Sequence, residues 1–303
     1  MSPTPSLRHL DWLMLLLLSW VYPIVLVQLT EDYRYFWSLA FWTVPILLLG
    51  WRALQVATPD PASGLPYSRR RRGLYWTVAY ILGAGIFLDF VLGPWVLQFA
   101  LDRPRHYVYV FERWGIPVEE VFFYALAPLA ILFVYIWCDE YWMPAYSQRA
   151  LRLRISPGQA LVGVLPGAAA AGVLVLGAGI LYRRPCTDGG WPVYFIFLTL
   201  AAFVPSAALY KTMRNYVNWQ ALGATTLYAV GTSILWEATL AVPQKWWGYQ
   251  PKHMLGIVIP DWSRDPAWPF PVEAAAVWVA APLTCVLVYE FAKAREYRRR
   301  ASS

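Results

Sequence analysis

Long apolar segments, separated by shorter polar ones, follow each other along almost the whole chain. A helix that crosses a membrane needs roughly 20 consecutive, mostly apolar residues, and eight segments approach or exceed that length. We predict transmembrane helices over residues 10–29, 35–56, 74–99, 117–138, 160–181, 193–210, 219–242 and 271–291. The pattern therefore predicts an all-α, multi-pass integral membrane protein with about eight spans.

The first segment shares one feature with signal peptides, because Arg8 precedes its apolar run. The run is longer than the usual apolar core of a signal peptide, and residues 28–32 contain no cleavage site with small residues. We therefore interpret the segment as an uncleaved membrane helix.

Basic residues are distributed unequally between the two sides of these eight spans. Of the 25 Lys and Arg, 16 fall on the side that holds both termini, including the run at residues 69–72. Because cytoplasmic loops carry an excess of Lys and Arg, we predict that both termini are cytoplasmic and that the protein resides in the cell membrane. The run at 69–72 could also bind anionic lipid, but its position in a cytoplasmic loop is the favoured explanation.

The composition agrees with a membrane protein. Hydrophobic residues make up 59% of the 303 residues and charged residues 14%, whereas soluble domains have about 45–50% and about 25%. This composition excludes a disordered or fibrous chain, and three cysteines are too few for a disulfide framework. The net charge of +7 is explained by cytoplasmic loops, so we expect no nucleic-acid partner.

Two parts of the chain match each other at a nearly constant spacing. Residues 117–135 match residues 271–289 at an offset of 154, and residues 80–89 match residues 228–237 at an offset of 148. We interpret residues 1–150 and 151–303 as two four-helix repeats. An even number of helices makes the repeats parallel, so a pseudo-two-fold axis along the membrane normal is expected, with a site between the halves.

Acidic residues occupy repeat-related places within the predicted spans. They are Asp89, Glu119 and Glu120 in the first half, and Glu237 and Glu273 in the second. Ionisable residues inside a membrane are costly and usually functional. No basic residue lies deep in a predicted span, so burial favours the neutral acid, which suits a general acid. The alternative is that these carboxyls only cap helices.

The two Pro-Val-Glu sequences predict how the helices begin. Pro117 and Pro271 are expected in the first helical turn, which would put Glu119 and Glu273 at the third helical position. The helix dipole favours an anion there, by roughly 0.3–1 kcal/mol. Burial of a carboxyl has a larger and opposite effect.

Aromatic residues surround these acidic positions. The chain contains 18 Trp, 20 Tyr and 14 Phe. Those nearest the acidic residues are Trp95, Trp114, Phe122, Phe123, Trp236 and Trp247. They could form an interfacial belt, or they could present ring faces to a cation during a reaction. Both interpretations remain open at this point.

Residues 117–123, Pro-Val-Glu-Glu-Val-Phe-Phe, resemble the Pro-x-Glu-Glu-x-x-Phe-Phe pattern of the membrane-integral lycopene cyclases of the heterodimeric and fused two-domain type. The upstream Asp89 and the Trp114-Gly115 pair fit this family too, as do Trp236-Glu237 and Trp247-Gly248 in the second half. The resemblance covers about residues 74–140 and 219–291. The motif is short, and its duplication makes it more specific.

This resemblance implies ring closure at the ends of a linear C40 carotene, drawn from the bilayer. A protonated Glu would start the reaction, a base would end it, and no cofactor or metal is implied. Glu119, Glu120 and Glu273 are the implied acid and base candidates, with Asp89 and Glu237 as supports or proton relays. The aromatic residues would bind the polyene. Membrane lipids and other enzymes of the carotenoid pathway are candidate partners.

The second motif departs from the first, because residues 274–276 are alanines where the first motif has Glu120-Val121-Phe122. The halves are therefore not equivalent, and one active centre built mainly from the first half is expected. Two alternatives remain, namely a cyclase for another terpene and a non-catalytic lipid or carotenoid carrier. Parallel repeats with buried carboxyls also occur in transporters.

Overall fold

The computed structural model describes residue 13 and residues 16–28, 34–56, 67–99, 107–110, 114–142, 190–259 and 268–301. These residues are mostly helical, in agreement with the predicted fold class. The helices are α1 (Tyr22–Gln28), α2 (Arg34–Val56), α3 (Tyr67–Phe87), α4 (Gly93–Val96), α5 (Val118–Trp137), α6 (Val193–Leu198), α7 (Val204–Met213), α8 (Trp219–Trp236), α9 (Val242–Gln244) and α10 (Val272–Ala301).

Four helical segments among the described residues are long and apolar enough to cross a membrane. They are Arg72–Val96, Val118–Trp137, Val193–Met213 and Val272–Glu296. They coincide with the third, fourth, sixth and eighth predicted spans. A shorter apolar stretch, Tyr35–Leu48 in α2, lies within the second predicted span. The fifth, residues 160–181, lies outside the described residues.

Several helices continue through π-helical turns, in which the backbone hydrogen bonds reach one residue further than in an α-helix. These turns are Leu17–Val21, Leu88–Leu92, Cys138–Trp142, Thr199–Phe203 and Glu237–Ala241. The second contains Asp89, and the last begins with Glu237. Such turns are frequent at functional sites, and Asp89 and Glu237 lie in two different turns of this kind.

Two short antiparallel strand pairs, which the hydropathy pattern did not predict, close one end of the helices. Strand β1 (Leu97–Gln98) pairs with β4 (Gly248–Tyr249), and β2 (Tyr107–Val110) pairs with β3 (Trp114–Pro117). Strands β1 and β4 each follow a helix, a π-helical turn and a second short helix. Their pairing therefore joins the segment after Asp89 to the segment after Glu237.

The start of α5 differs from the prediction by one residue. Pro117 precedes the helix with φ −57° and ψ 135°, and the helix begins at Val118. Pairing of Pro117 with Tyr107 in the β2–β3 hairpin keeps this residue extended. Glu119 is therefore the second helical residue and Glu120 the third. Helix α10 likewise begins at Val272, so Glu273 is its second residue.

The largest apolar core lies between α5, α8 and α10. It contains a group of buried polar residues, which we call the polar cluster. Lys293 Nζ lies 2.6 Å from Glu290 Oε1, which also accepts a hydrogen bond of 3.2 Å from the Tyr135 hydroxyl. Asn218 Nδ2 donates to Asp139 Oδ1 at 3.0 Å, and its backbone N–H donates to the Tyr135 hydroxyl at 3.4 Å. The cluster links the three helices away from the predicted acidic site.

Candidate active site

A cavity of about 270 Å³ lies between the helices, and most of its lining is apolar. Glu120 and Glu237 are the two charged side chains that line it within the described part of the chain. One comes from the first turn of α5, and the other begins the π-helical turn after α8. The fold therefore brings one carboxyl from each predicted half to the same apolar space.

Glu120 and Glu237 have different surroundings, although both are only 6% exposed. The Tyr35 hydroxyl, from α2, donates a hydrogen bond of 2.7 Å to Glu120 Oε1. Glu237 Oε2 has no hydrogen-bond partner among the described residues. Glu120 is thus held by a donor, whereas one oxygen of Glu237 is available to another molecule.

The other three predicted carboxyls lie beside this pair but do not line the cavity. Asp89 Oδ1 accepts a hydrogen bond of 2.9 Å from Tyr124, whose side chain does line the cavity. Glu273 Oε1 accepts a hydrogen bond from the backbone N–H of Leu255. Glu119 is buried beside Glu120. We infer that these three residues support the site from behind its wall.

Four of the five carboxyls are electrostatic neighbours. Glu120 lies close enough to Asp89, Glu119 and Glu237 for their charges to interact, whereas Glu273 lies within such range of Tyr194. Among the described residues, no group of three or more His, Cys, Asp or Glu has a geometry that could hold a metal ion.

Aromatic rings surround the Glu120–Glu237 end of the cavity. Trp236 lies 5.0 Å from Trp247 and stacks on Phe123 at 5.6 Å, measured between ring centroids. Tyr35 lies 5.3 Å from Trp247 and stacks on Trp246 at 5.2 Å. We call these five residues the aromatic cluster. All except Trp246 line the cavity, so ring faces and carboxyls share one surface.

Two further aromatic residues predicted for the site, Trp95 and Phe122, do not line the cavity. Trp95 and Phe122 are each 50% exposed, as expected for side chains that face lipid. Trp114 begins strand β3, opposite Val110. Because Phe122 and Phe123 are neighbours on a helix, they point in directions about 100° apart, and only Phe123 faces inward.

The sequence interpretation missed the tyrosines Tyr35, Tyr194 and Tyr249, which all line the cavity. Tyr194 stacks on Tyr249 with ring centroids 5.6 Å apart. Burial raises the pKa of the Tyr249 hydroxyl well above its ordinary value, so this group keeps its proton at physiological pH. No local signal marks these residues, because tyrosines at segment ends are also typical of an interfacial belt.

Gly85 is the position where a small residue is required beside the site. An added Cβ there would overlap the ring of Tyr124, the residue that donates to Asp89. We expect Gly85→Ala to destabilise the protein by about 1–3 kcal/mol, as other overpacked substitutions do. At Gly83, an added Cβ meets nothing within 4 Å, so Gly83→Ala should be neutral or stabilising by up to about 1 kcal/mol.

Unfolding midpoints in detergent micelles would compare these two variants of one helix. If Gly85→Ala is as stable as Gly83→Ala, the close packing of α3 against Tyr124 is wrong.

The chain matches no protein-family model, no characterised protein and no solved structure. The chemistry open to it therefore rests on the geometry of its own site. Two buried carboxyls can give a proton to an apolar substrate and take one back. Ring faces beside them can attract a cation that forms in between.

Proposed function

We propose that this protein is a membrane-integral carotenoid cyclase that closes the end groups of a linear, lycopene-type carotene. The observation that carries the proposal is the apolar cavity, because its charged lining within the described residues consists of Glu120 and Glu237 beside four rings of the aromatic cluster. This combination suits proton-initiated chemistry on a hydrocarbon. The resemblance of residues 117–123 to the lycopene cyclases supports the same substrate class.

The reaction needs one acid and one base and no redox partner. The acid gives a proton to the terminal double bond, whose electron pair forms the new C–H bond and leaves a tertiary cation. The next double bond attacks this cation, so a C–C bond closes a six-membered ring and a second cation forms. The base then removes a neighbouring proton, and the C–H electron pair becomes a double bond. Substrate and product are isomers.

The hydrogen bonds of the two carboxyls suggest their roles. Glu120 Oε1 already accepts a hydrogen bond from Tyr35, as a carboxylate does, so we assign the base to Glu120. Glu237 Oε2 is buried without a described partner, and an unpaired carboxyl in apolar surroundings is stable as the neutral acid. We therefore assign the acid to Glu237. This differs from the roles implied by the sequence resemblance, in which Glu119, Glu120 and Glu273 are the acid and base candidates and Glu237 is a support or proton relay.

The cavity wall contributes to the proposed reaction in two ways. Trp236, Trp247 and Phe123 present ring faces that attract the cation, and the apolar lining excludes water that would trap it. A volume of about 270 Å³ lies near the lower end of ligand pockets, about 300–1,000 Å³. It therefore fits one end of a long polyene rather than the whole molecule.

The recurring order of helix, π-helical turn, short helix and strand supports the proposed two-repeat layout. We propose that the complete protein has eight spans in two parallel repeats and lies in the cell membrane with both termini in the cytoplasm. Cysteine accessibility from each side of sealed vesicles would test this topology.

Expression in cells that accumulate lycopene tests the proposed function directly. We expect cyclic carotenoids without added flavin, identified by chromatography and mass spectrometry, and only lycopene when both Glu120 and Glu237 are changed to Gln. The position of the new double bond shows whether β or ε rings form. Unchanged lycopene beside stably expressed wild-type protein would contradict the proposal and favour another terpene substrate or a carrier.

A further inference from the structure

Glu237 also lines a second, much smaller cavity on the side of the loop that follows α9. Its volume is about 10 Å³, close to the roughly 10–15 Å³ needed for one water molecule. It is lined by Glu237, Val242, Trp247, Gly248, Tyr249, Trp268, Pro269 and Phe270. Glu237, Trp247 and Tyr249 line both cavities, so they form the wall between them.

The wall of the small cavity offers the polar groups that a buried water requires. A buried water usually makes two to four hydrogen bonds. Glu237 Oε2 is buried and has no hydrogen-bond partner among the described residues. Gly248 has no side chain, so its main chain contributes polar groups to the same wall.

Hydrogen bonds fix this wall independently of any ligand. The backbone N–H of Gln250 donates to Val96 at 2.9 Å, and that of Ile259 donates to Phe270 at 2.9 Å. An added Cβ at Gly248 would overlap the ring of Trp268, so the two sides of the wall already touch. The small cavity is therefore a formed feature of the fold.

An exposed lysine lies near the wall of the small cavity. Lys245 is exposed, and its Nζ lies 5.8 Å from the centroid of the Trp268 ring. Trp268 in turn lines the small cavity. Among the described residues, Trp268 therefore connects the small cavity to an exposed charged side chain.

We propose that the small cavity binds one water molecule, through which the Glu237 carboxyl exchanges its proton with the aqueous phase. In its catalytic role this site rests on the proposed function. After a ring closes, Glu120 holds the proton taken from the substrate, and transfer of that proton to Glu237 restores the starting state. Exchange at the water site then replaces it with a solvent proton before the next turnover.

Infrared spectroscopy of the substrate-free protein tests the water site without using activity. The carbonyl stretch of neutral Glu237 is identified by its loss in Glu237→Gln, and its shift after transfer to D₂O gives the exchange rate. Val242→Ile adds one methyl group to the wall of the small cavity and should slow exchange on the order of tenfold or more, because exchange would then need local opening.

Val204→Ile is the matched control, because Val204 and Val242 both begin a short helix after a π-helical turn and precede a proline. Val204 lines neither cavity, and its variant should exchange at the wild-type rate. A wild-type protein without the Glu237 band would overturn the proposal. So would equal exchange rates in Val242→Ile and wild type.

Cyclisation in D₂O then tests the catalytic role. Wild type and Val204→Ile should place one solvent deuterium in every ring. Val242→Ile should place less deuterium after the first turnover, because the proton taken from one substrate would be given to the next. Full deuterium content in Val242→Ile would overturn the proposed exchange path. Absence of cyclic product in wild type, with infrared exchange as expected, would overturn the cyclase function and leave the water site intact.

Discussion

Glu237→Gln is expected to lower the rate of ring closure by about 10²–10⁴-fold, while the protein keeps its fold. Glutamine has nearly the same shape, but it has no acidic proton to give to a double bond. Because Glu237 Oε2 forms no described hydrogen bond, the substitution breaks no described hydrogen bond of this oxygen. Rates would be measured with lycopene in detergent micelles, and unfolding midpoints would confirm that the variant is folded.

Glu273→Gln is the matched comparison for this experiment. Glu273 is also buried and acidic, but its Oε1 accepts a backbone hydrogen bond from Leu255, and the amide oxygen of Gln can accept the same bond. Since Glu273 does not line the cavity, we expect a loss below about tenfold. A larger loss in Glu273→Gln than in Glu237→Gln would contradict the assignment of the acid to Glu237 and return that role to Glu273, one of the three candidates implied by the sequence resemblance.

Four of the eight predicted membrane spans and the burial of the predicted acidic residues were accessible from sequence, because both depend on composition over a window. A run of 20 apolar residues predicts a spanning helix whatever it packs against. An acidic residue inside such a run can be identified from the sequence in the same way. The four segments of membrane-crossing length and the burial of all five predicted carboxyls therefore agree with the pattern.

The sequence could not decide which carboxyls face the cavity, because that depends on helix register. Adjacent residues on a helix point about 100° apart, so rotation of the helix about its axis decides whether Glu119 or Glu120 faces the cavity. The start itself was displaced by a tertiary feature, since Pro117 pairs with Tyr107 in a hairpin. At Glu237, a π-helical turn changes the direction of the side chain in a way that no periodic pattern predicts.

Contacts between residues far apart in the chain could not be predicted from the sequence either. Tyr35 reaches Glu120 across 85 residues, and β1 pairs with β4 across about 150 residues of chain. Strands of two residues are too short to show an alternating pattern. The aromatic cluster could be suspected from composition, but only packing separates Phe123 from the exposed Phe122.

Lys293→Met is expected to destabilise the protein by about 3–5 kcal/mol, the usual cost of removing one partner from a buried ion pair. Lys293 Nζ lies 2.6 Å from Glu290 Oε1, and the two side chains are only 16% and 2% exposed. Without the lysine, the Glu290 carboxyl keeps a hydrogen bond from Tyr135 but loses its neighbouring positive charge. Unfolding in detergent micelles with increasing denaturant would measure the difference.

A second ion pair, between Arg72 of α3 and Glu296 of α10, separates the effect of burial from the simple loss of a positive charge. Arg72 lies 3.4 Å from Glu296, but its side chain is 62% exposed, so water and salt screen the pair. Arg72→Met should therefore cost only about 0–1 kcal/mol. The double variant Lys293→Met with Glu290→Gln should regain part of the stability, because no unpaired charge remains. Equal costs for Lys293→Met and Arg72→Met would mean that the polar cluster does not join α5, α8 and α10 as described.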